Sequence, residues 1–404
     1  MPDKTISNHS PIKERLNNID IIRGVALLGI LIMNIQSFSM ITAAYNNPLS
    51  FGDFSGLNKI AYYFSHIFAD QKFMTIFSIL FGASIHLSTK RNESKELSKV
   101  IIHYRRMAIL ACFGLLHLFC LWYGDILFAY AILGMLAYLA RNKTAKFMTV
   151  TAFILLIINA AIFYVLATLI PYMSDIDIQI LEVNWIPSKE VMETEIVANQ
   201  SSWIAQTSHR TNMAIEMLFS GLFYYCRVLA LMLIGMVMIK LNFFEERFDN
   251  KSLVTQASFC LFFGILLIIS RLQSNLLNNF PISSMFAQEN YWGSMLVGYA
   301  YICLIMVFCR LKLFIRTKAC LANVGRLALT NYLAQTFICT FIFYGWGLGK
   351  FGSYERKEQL LLVLCIWIFQ ILFSILWMKK FRLGPFEWLW RSLTHGSLQK
   401  LKII

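Results

Sequence analysis

The sequence predicts an all-α membrane protein, a bundle of about ten transmembrane helices with both termini in the cytoplasm. Three observations predict this fold class. Of the 404 residues, 58% are hydrophobic and only 14% are charged, and the mean hydropathy is +0.60, above the range of soluble proteins. The apolar residues form segments of the length that a bilayer requires, about 17 to 25 residues. The Lys and Arg residues are concentrated in alternate loops.

Ten apolar segments are predicted to cross the membrane. They are residues 21–42, 72–89, 106–123, 125–140, 147–170, 214–239, 253–271, 291–309, 323–345 and 359–378. No signal-peptidase-like site follows the first segment, so we expect an uncleaved signal anchor. Residues 57–69 are too short to cross and are expected to lie at the surface or to re-enter the membrane.

The distribution of positive charge predicts the orientation. The termini and the loops on their side hold 25 Lys and Arg residues, whereas the opposite loops hold 8. Because translocation of short basic loops is disfavoured, the basic side is predicted to be cytoplasmic. The net charge of +14 then faces anionic membrane lipid and does not indicate a nucleic-acid-binding protein.

This topology divides the chain into four parts: a cytoplasmic tail 1–20, a five-span bundle 21–170, an outer loop 171–212, and a second five-span bundle 213–404 that ends in a cytoplasmic tail. The outer loop contains six Asp and Glu residues against two Lys and Arg residues. A solvated loop is the favoured interpretation, and an acidic cap, a substrate lid or a partner surface are the alternatives.

The cysteines and histidines indicate neither a disulfide framework nor a metal site. All nine Cys residues lie within predicted spans or at an inner edge, and no Cys-x-x-Cys or His-Glu-x-x-His spacing occurs. We therefore predict no metal and no permanently bound cofactor.

Leaving aside the terminal residues of the segments, only three of the 36 Lys and Arg residues lie within the predicted spans: Arg23, Arg227 and Arg326. A cation inside the membrane is costly and usually has a function. Arg326 opens the ninth span, and Asn331 follows it by about one turn, so both belong to a polar stripe that starts at the cytoplasm. Arg227 lies in the middle of the sixth span, where a structural ion pair with an acid such as Glu216 or Asp125 is weighed against a bound anion.

In the first span, Arg23 and Asn34 are eleven residues apart, so they lie near one helix face about 16 Å apart in depth. Asp20 precedes Arg23 by three residues and can pair with it. The alternative interpretation is that Arg23 reaches lipid phosphates while Asp20 caps the helix.

His117 and Asp125 are candidates for acid–base chemistry. A His oriented by a carboxylate can accept a proton near neutral pH. Eight residues of straight helix would separate them by about 12 Å, so direct pairing requires the outer turn to fold Asp125 back. A buried structural His bonded to a neighbouring span is the alternative.

Five stretches together resemble the bacterial YeiB family, which has a C-terminal domain of unknown function. The matching stretches are Leu16–Asn34, Lys72–Gly82, Gly114–Gly134, Val324–Gln335 and Gly384–Arg391. They follow the family order over nearly the whole chain. The resemblance implies a multi-pass protein of the bacterial inner membrane.

The YeiB family is itself similar to membrane acyltransferases that modify surface sugars and to heparan-alpha-glucosaminide N-acetyltransferase. This similarity implies acyl transfer from cytoplasmic acyl-CoA to an outward-facing acceptor. Arg23 and Arg326 would then bind CoA phosphates, since guanidinium groups bind phosphate well. Asn34 and Asn331 would lie along the polar path between donor and acceptor.

One position departs from that pattern. The sugar acyltransferases have an Arg, ten intervening residues and a His, whereas Arg23 is followed after ten residues by Asn34, and an amide is not a base. We therefore expect His117 to be the base and Asp125 to orient it. The alternative function is a transporter or flippase of a small anionic metabolite or lipid, with Arg23, Arg227 and Arg326 as counter-ions.

Overall fold

A computed structural model describes residues 11–90, 96–245 and 247–403, and over these ranges the chain is helical, without a β-strand. Part of the predicted tail 1–20 is outside the described residues, and the first helix begins at Pro11. The helices are α1 (Pro11–Ser39), α2 (Ala43–Asn46), α3 (Gly56–Phe68), α4 (Lys72–Lys90), α5 (Glu96–Cys120), α6 (Leu127–Leu139), α7 (Ala145–Leu169), α8 (Asp175–Trp185), α9 (Lys189–Gln200), α10 (Thr207–Lys240), α11 (Asn250–Leu277), α12 (Gln288–Arg310), α13 (Ile315–Arg326), α14 (Ala328–Phe343), α15 (Arg356–Lys380) and α16 (Pro385–His395).

Seven of the described helices are long and apolar enough to cross a membrane: α1, α5, α7, α10, α11, α12 and α15. The chain is therefore a helical membrane protein. Nine of the ten predicted spans overlap one of these α-helices each, and the ninth, 323–345, overlaps both α13 and α14. Helices α6 and α14 are apolar but have only 13 and 16 residues, and α4 has 19. The predicted re-entrant or surface segment is the 13-residue helix α3.

The helices form a buried centre and a periphery. In α1 and α10, 72% and 61% of the most apolar stretch is buried inside the protein, against 17% in α7 and 22% in both α11 and α15. The peripheral helices expose large apolar side chains such as Phe153, Ile157 and Phe262. These faces match the apolar interior of a bilayer, so α7, α11 and α15 form the lipid-facing surface.

The segment predicted as an outer loop, 171–212, is largely helical, and most of its residues are exposed. We call its helices α8 and α9 the cap, and they pack against one end of the bundle. The Trp185 indole donates to the carbonyl oxygen of Phe280 at 2.7 Å, and Glu195 accepts from the backbone N–H and the hydroxyl of Thr42 at 2.9 and 2.7 Å. Burial raises the pKa of the Glu195 carboxyl above its ordinary value. Apolar packing and these hydrogen bonds hold the cap in place.

The predicted ninth span is divided in two. Helix α13 ends at Arg326, Leu327 interrupts the helix, and α14 starts at Ala328. The new helix start is capped by Glu387 of α16, which accepts from the backbone N–H groups of Leu329 and Thr330 at 2.6 and 3.1 Å.

Candidate functional site

Arg23 and Arg326 meet at one end of the bundle, which we call the basic end. Arg23 donates from Nη1 to Asp20 Oδ1 at 2.8 Å, as the spacing predicted, and from Nη2 to the hydroxyl of Ser84 at 3.3 Å. Arg326 donates from Nε to Asp20 Oδ2 at 3.4 Å. One carboxylate therefore holds both guanidinium groups, although they are 303 positions apart in the chain.

Two glycines allow this meeting. Helix α1 crosses α13 with Gly24 against the carbonyl of Leu321 and Gly325 against the carbonyl of Asp20, so close that a Cβ at either glycine would overlap the carbonyl oxygen. The helix axes can approach this closely only where side chains are absent.

Further cations surround the basic end. The Arg106 guanidinium lies 4.6 Å from the centre of the Trp390 ring, within electrostatic range of Arg23 and Arg391. Burial lowers the pKa of His395, and so do the positive charges of Arg391, Arg105 and Arg106. This concentration of guanidinium groups is suited to a multiply charged anion such as a phosphate ester.

The opposite end, which we call the cavity end, contains a cavity of about 470 Å³. Its walls come from the helices α1 to α7, from α10, α11 and α12, and from the cap. Aromatic residues make up much of the lining, including Tyr62, Trp122, Tyr130, Trp185, Tyr224 and Tyr291. The polar lining includes two residues proposed from sequence, Asn34 and Asp125. A largely aromatic cavity with a few polar groups is typical of a small-molecule site.

His117 and Asp125 are in direct contact. The distance from His117 Nδ1 to Asp125 Oδ1 is 2.9 Å, and both side chains are buried. Helix α5 ends at Cys120, and the backbone N–H of Trp122 donates to the carbonyl of His117, so the turn folds Asp125 back towards the helix. Asp125 lines the cavity, whereas the His117 ring lies behind it.

The other ring nitrogen of His117 contacts a residue that the sequence did not indicate. Nε2 lies 2.9 Å from the hydroxyl of Thr336 on α14, and the Thr336 side chain is buried. Carboxylate Oδ2 of Asp125 accepts from the backbone N–H of Phe128 at 2.7 Å. The three polar side chains thus form one chain of hydrogen bonds that starts at the cavity.

Arg227 is buried with neutral partners, and no ion pair with Glu216 or Asp125 is found in the described chain. Its guanidinium donates to Gln71 Oε1, to the Thr75 hydroxyl at 3.2 Å and to the Ser294 hydroxyl at 2.8 Å. The expectation of a structural ion pair is therefore wrong. Gln71 lines the cavity and separates Arg227 from it.

A second cation, Lys72, is the first residue of the predicted span 72–89 and is fully buried. Its Nζ donates to the carbonyl of His66 at 2.7 Å and to Asn290 Oδ1 at 3.3 Å. The Asn290 amide also donates to Asp70 at 2.6 Å, and Asp70 lies 3.5 Å from His66 Nδ1. The sequence analysis did not identify this polar group. Its signal in the sequence is weak: Asp70 and Lys72 stand close together at the start of a predicted span.

Asn331 lies inside the protein and away from the cavity. Its side-chain amide donates to the Ser374 hydroxyl at 3.0 Å, and its backbone carbonyl accepts from the Gln370 amide at 2.8 Å. Gln335 donates to Gln370 at 2.9 Å. These bonds join α14 to α15, so Asn331 has a packing role here.

Residues 238–397 match a family described as a protein of unknown function (DUF418). The chain is 29% identical over 400 residues to the uncharacterized protein YeiB of Escherichia coli K12, which covers 94% of this chain and 96% of that protein. It is 28% identical over 415 residues to the uncharacterized protein YxaH of Bacillus subtilis 168, covering 96% of both chains. A 39.9 kDa uncharacterized protein of Bacillus acidopullulyticus is 25% identical over 391 residues, covering 95% of both.

Proposed function

The chain belongs to the YeiB family, and we propose that it is a membrane acyltransferase that moves a short acyl group from acyl-CoA at the basic end to an acceptor in the cavity. The observation that carries this proposal is the contact of His117 with Asp125 at the cavity wall. A carboxylate that orients a neutral imidazole makes it an effective proton acceptor.

In this reaction His117 accepts the proton of the acceptor hydroxyl or amine, and Asp125 holds the ring and stabilises the imidazolium that forms. The acyl group passes to the acceptor oxygen or nitrogen, the C–S bond of the thioester breaks, and His117 gives its proton to the CoA thiolate, which leaves as the thiol. Asn34 lies in the cavity and can donate a hydrogen bond to the oxyanion that develops. The aromatic lining excludes water, which limits hydrolysis of the thioester.

The basic end supplies the donor site. Arg23 and Arg326 share Asp20, so one carboxylate orients two guanidinium groups without neutralising both. Side-chain exposure of 25% and 45% leaves both able to reach a ligand. One guanidinium group can donate two parallel hydrogen bonds to the oxygens of a phosphate, which suits the phosphates of CoA.

The proposed orientation places the basic end in the cytoplasm and the cavity on the outer side of a bacterial inner membrane, with ten crossings and both termini inside. The charge bias between alternate loops supports it. Acyl-CoA is then bound from inside, and the acceptor enters from outside.

The buried charge of Arg227 favours a second candidate, a transporter of a small anionic metabolite or lipid. A cation held only by an amide, hydroxyls and an aromatic ring can be neutralised by a bound anion. Transport predicts that Arg227→Gln stops movement of the anion with no acyl donor present.

Calorimetry of acetyl-CoA binding to the purified protein tests the donor site. We expect Arg23→Ala and Arg326→Ala to weaken binding roughly tenfold to a hundredfold each, because each removes a charge-assisted hydrogen-bond donor. Lys312→Ala is the matched control, since it removes an exposed charge from the same side of the protein. His117→Ala should bind acetyl-CoA as the wild type does and form no product.

Two results would count against acyl transfer. Absence of acetyl-CoA binding to the wild type would favour the anion transporter. Full product formation by the His117→Ala variant would remove the assigned base.

A further inference from the structure

Thr336 occupies the position of a nucleophile relative to His117. Asp125 is a hydrogen-bond acceptor when ionised, so the proton between it and His117 belongs to Nδ1. Nε2 then carries the lone pair, and the hydroxyl of Thr336, 2.9 Å away, donates to it. A hydroxyl, an imidazole and a carboxylate in this order are the parts of an activated nucleophile.

Each part is fixed by further bonds. Asp125 Oδ2 accepts from the backbone N–H of Phe128 at 2.7 Å, which sets the carboxylate plane. The His117 ring lies 5.3 Å from the Tyr332 ring, and Tyr332 donates to the carbonyl of Gly124 in the turn that carries Asp125. The contact between Thr336 and His117 therefore belongs to a rigid assembly of α5, α14 and the outer turn.

We propose that Thr336 is the nucleophile of a two-step acyl transfer and carries the acyl group as an ester. This inference rests on the proposed acyltransferase function. It explains why the basic nitrogen of His117 is directed at a residue of α14 while Asp125 reaches the cavity.

The transfer has two steps. The Thr336 oxygen attacks the thioester carbonyl as His117 Nε2 takes the hydroxyl proton; the C–S bond breaks, and the CoA thiolate receives that proton. In the second step the acceptor oxygen or nitrogen attacks the ester carbonyl and gives its proton to Nε2. The C–O bond to Thr336 then breaks, and His117 returns the proton to the hydroxyl.

The location of Thr336 fits a carrier between two sites. Helix α14 starts at Ala328, two residues after Arg326 at the basic end, and Thr336 lies eight residues further along it, about 12 Å along the helix axis. The pantetheine arm of CoA is an extended chain of comparable length. On the other side, His117 and Asp125 link Thr336 to the cavity. Thr336 is only 1% exposed, so an ester there is shielded from water.

The acyl-enzyme can be detected directly. Full-length protein is incubated with acetyl-CoA without an acceptor, and its intact mass and the peptide that contains residue 336 are measured. We expect the wild type and Thr336→Ser to gain the mass of one acetyl group at that residue. Thr336→Val, which keeps the volume, should gain none, and its acetyl transfer should fall by a factor of roughly a thousand or more.

Thr340→Val is the matched control. Thr340 is one turn further along α14, is fully buried, and donates to the carbonyl of Thr336 at 2.7 Å, but it does not contact His117 in the described structure. Its variant should form the adduct, which separates the loss of the nucleophile from the loss of a buried hydroxyl.

Two results would overturn the inference. Acetyl transfer by Thr336→Val at the wild-type rate would exclude a covalent Thr336 intermediate while leaving the acyltransferase proposal intact. Acetyl-CoA that neither binds nor reacts with the wild type would exclude both. Equal melting temperatures of the Thr336→Val and Thr340→Val variants exclude unfolding as the cause of lost activity.

Discussion

Arg227 is a charge that the surrounding protein holds only with neutral groups. It is fully buried, its Nε has no hydrogen-bond partner in the described chain, and its guanidinium lies 5.0 Å from the centre of the Tyr291 ring. The Asp70 carboxylate is within electrostatic range but forms no hydrogen bond or ion pair with Arg227 in the described chain. Burying a charge without a direct ion pair opposes folding, so this residue is retained at the expense of stability. Such an arrangement is typical of a functional site.

Arg227→Met is therefore predicted to be as stable as the wild type or more stable by about 1 kcal/mol. The variant should lose the anion transport that the second candidate function assigns to Arg227. The released hydroxyls keep partners: Thr75 donates to the carbonyl of Gln71 and Ser294 to that of Tyr291. Thermal unfolding in detergent measures the change.

Arg356→Met is the control for that measurement. Arg356 is only 2% exposed, but it donates to the backbone carbonyls of Phe51 and Ala44, at 3.3 Å each. Its loss leaves buried acceptors unpaired, so we expect destabilisation by about 1 to 3 kcal/mol. Equal destabilisation by both substitutions would show that Arg227 has a structural role.

Single residues also show what one sequence can predict. The contact of His117 with Asp125 was open to prediction because both lie on one short stretch. Thr336 is 219 positions from His117, and a contact between residues so far apart produces no pattern in a single sequence. Lys72 looks like a loop cation because it starts a helix, and only the packing of α12 and Asn290 against it makes it buried.

At the scale of elements, the break between α13 and α14 depends on a distant helix. Neither Gly nor Pro marks the break at Leu327. The exposed N–H groups of α14 are satisfied by Glu387, 60 positions further along the chain, so continuous apolar sequence predicted one span instead of two helices. The cap of α8 and α9 escaped prediction for a similar reason, because its stability comes from contacts with the bundle.

The stability that Glu387 contributes at the break between α13 and α14 depends on pH. Burial raises the pKa of its carboxyl above the ordinary value of 4.5, against the lowering effect of its hydrogen bonds. The folded state then binds the proton more tightly than the unfolded state, so this stabilisation is present below pH 4.5 and is lost as the pH rises through the folded pKa.

Glu387→Gln removes this titration but keeps an acceptor for the α14 backbone. We predict that the wild type loses stability relative to this variant as the pH is raised from 4.5 to 8, measured by thermal unfolding. Glu387→Ala should lose about 1 kcal/mol at either pH, because the helix cap is absent. The prediction would be contradicted if the wild type became more stable relative to Glu387→Gln as the pH is raised.

At the scale of the whole molecule, the bundle has two chemically distinct ends joined by two central helices. Helix α1 carries Arg23 at the basic end and Asn34 at the cavity, and α14 runs between the same ends beside it. The loop charges predicted this polarity from the sequence. The cavity could not be predicted, because its walls come from residues far apart in the chain, from Met33 to Tyr291, and include Trp185 of the cap.

This polarity makes vectorial acyl transfer the central claim, and inside-out membrane vesicles test it most directly. Vesicles that contain the protein receive acetyl-CoA labelled in the acetyl group, and the label retained inside is measured over time. Acyl transfer predicts label in enclosed acceptor for the wild type and a loss of roughly a hundredfold or more for His117→Ala. Equal retention by the two proteins, or none by either while acetyl-CoA is intact, would contradict it.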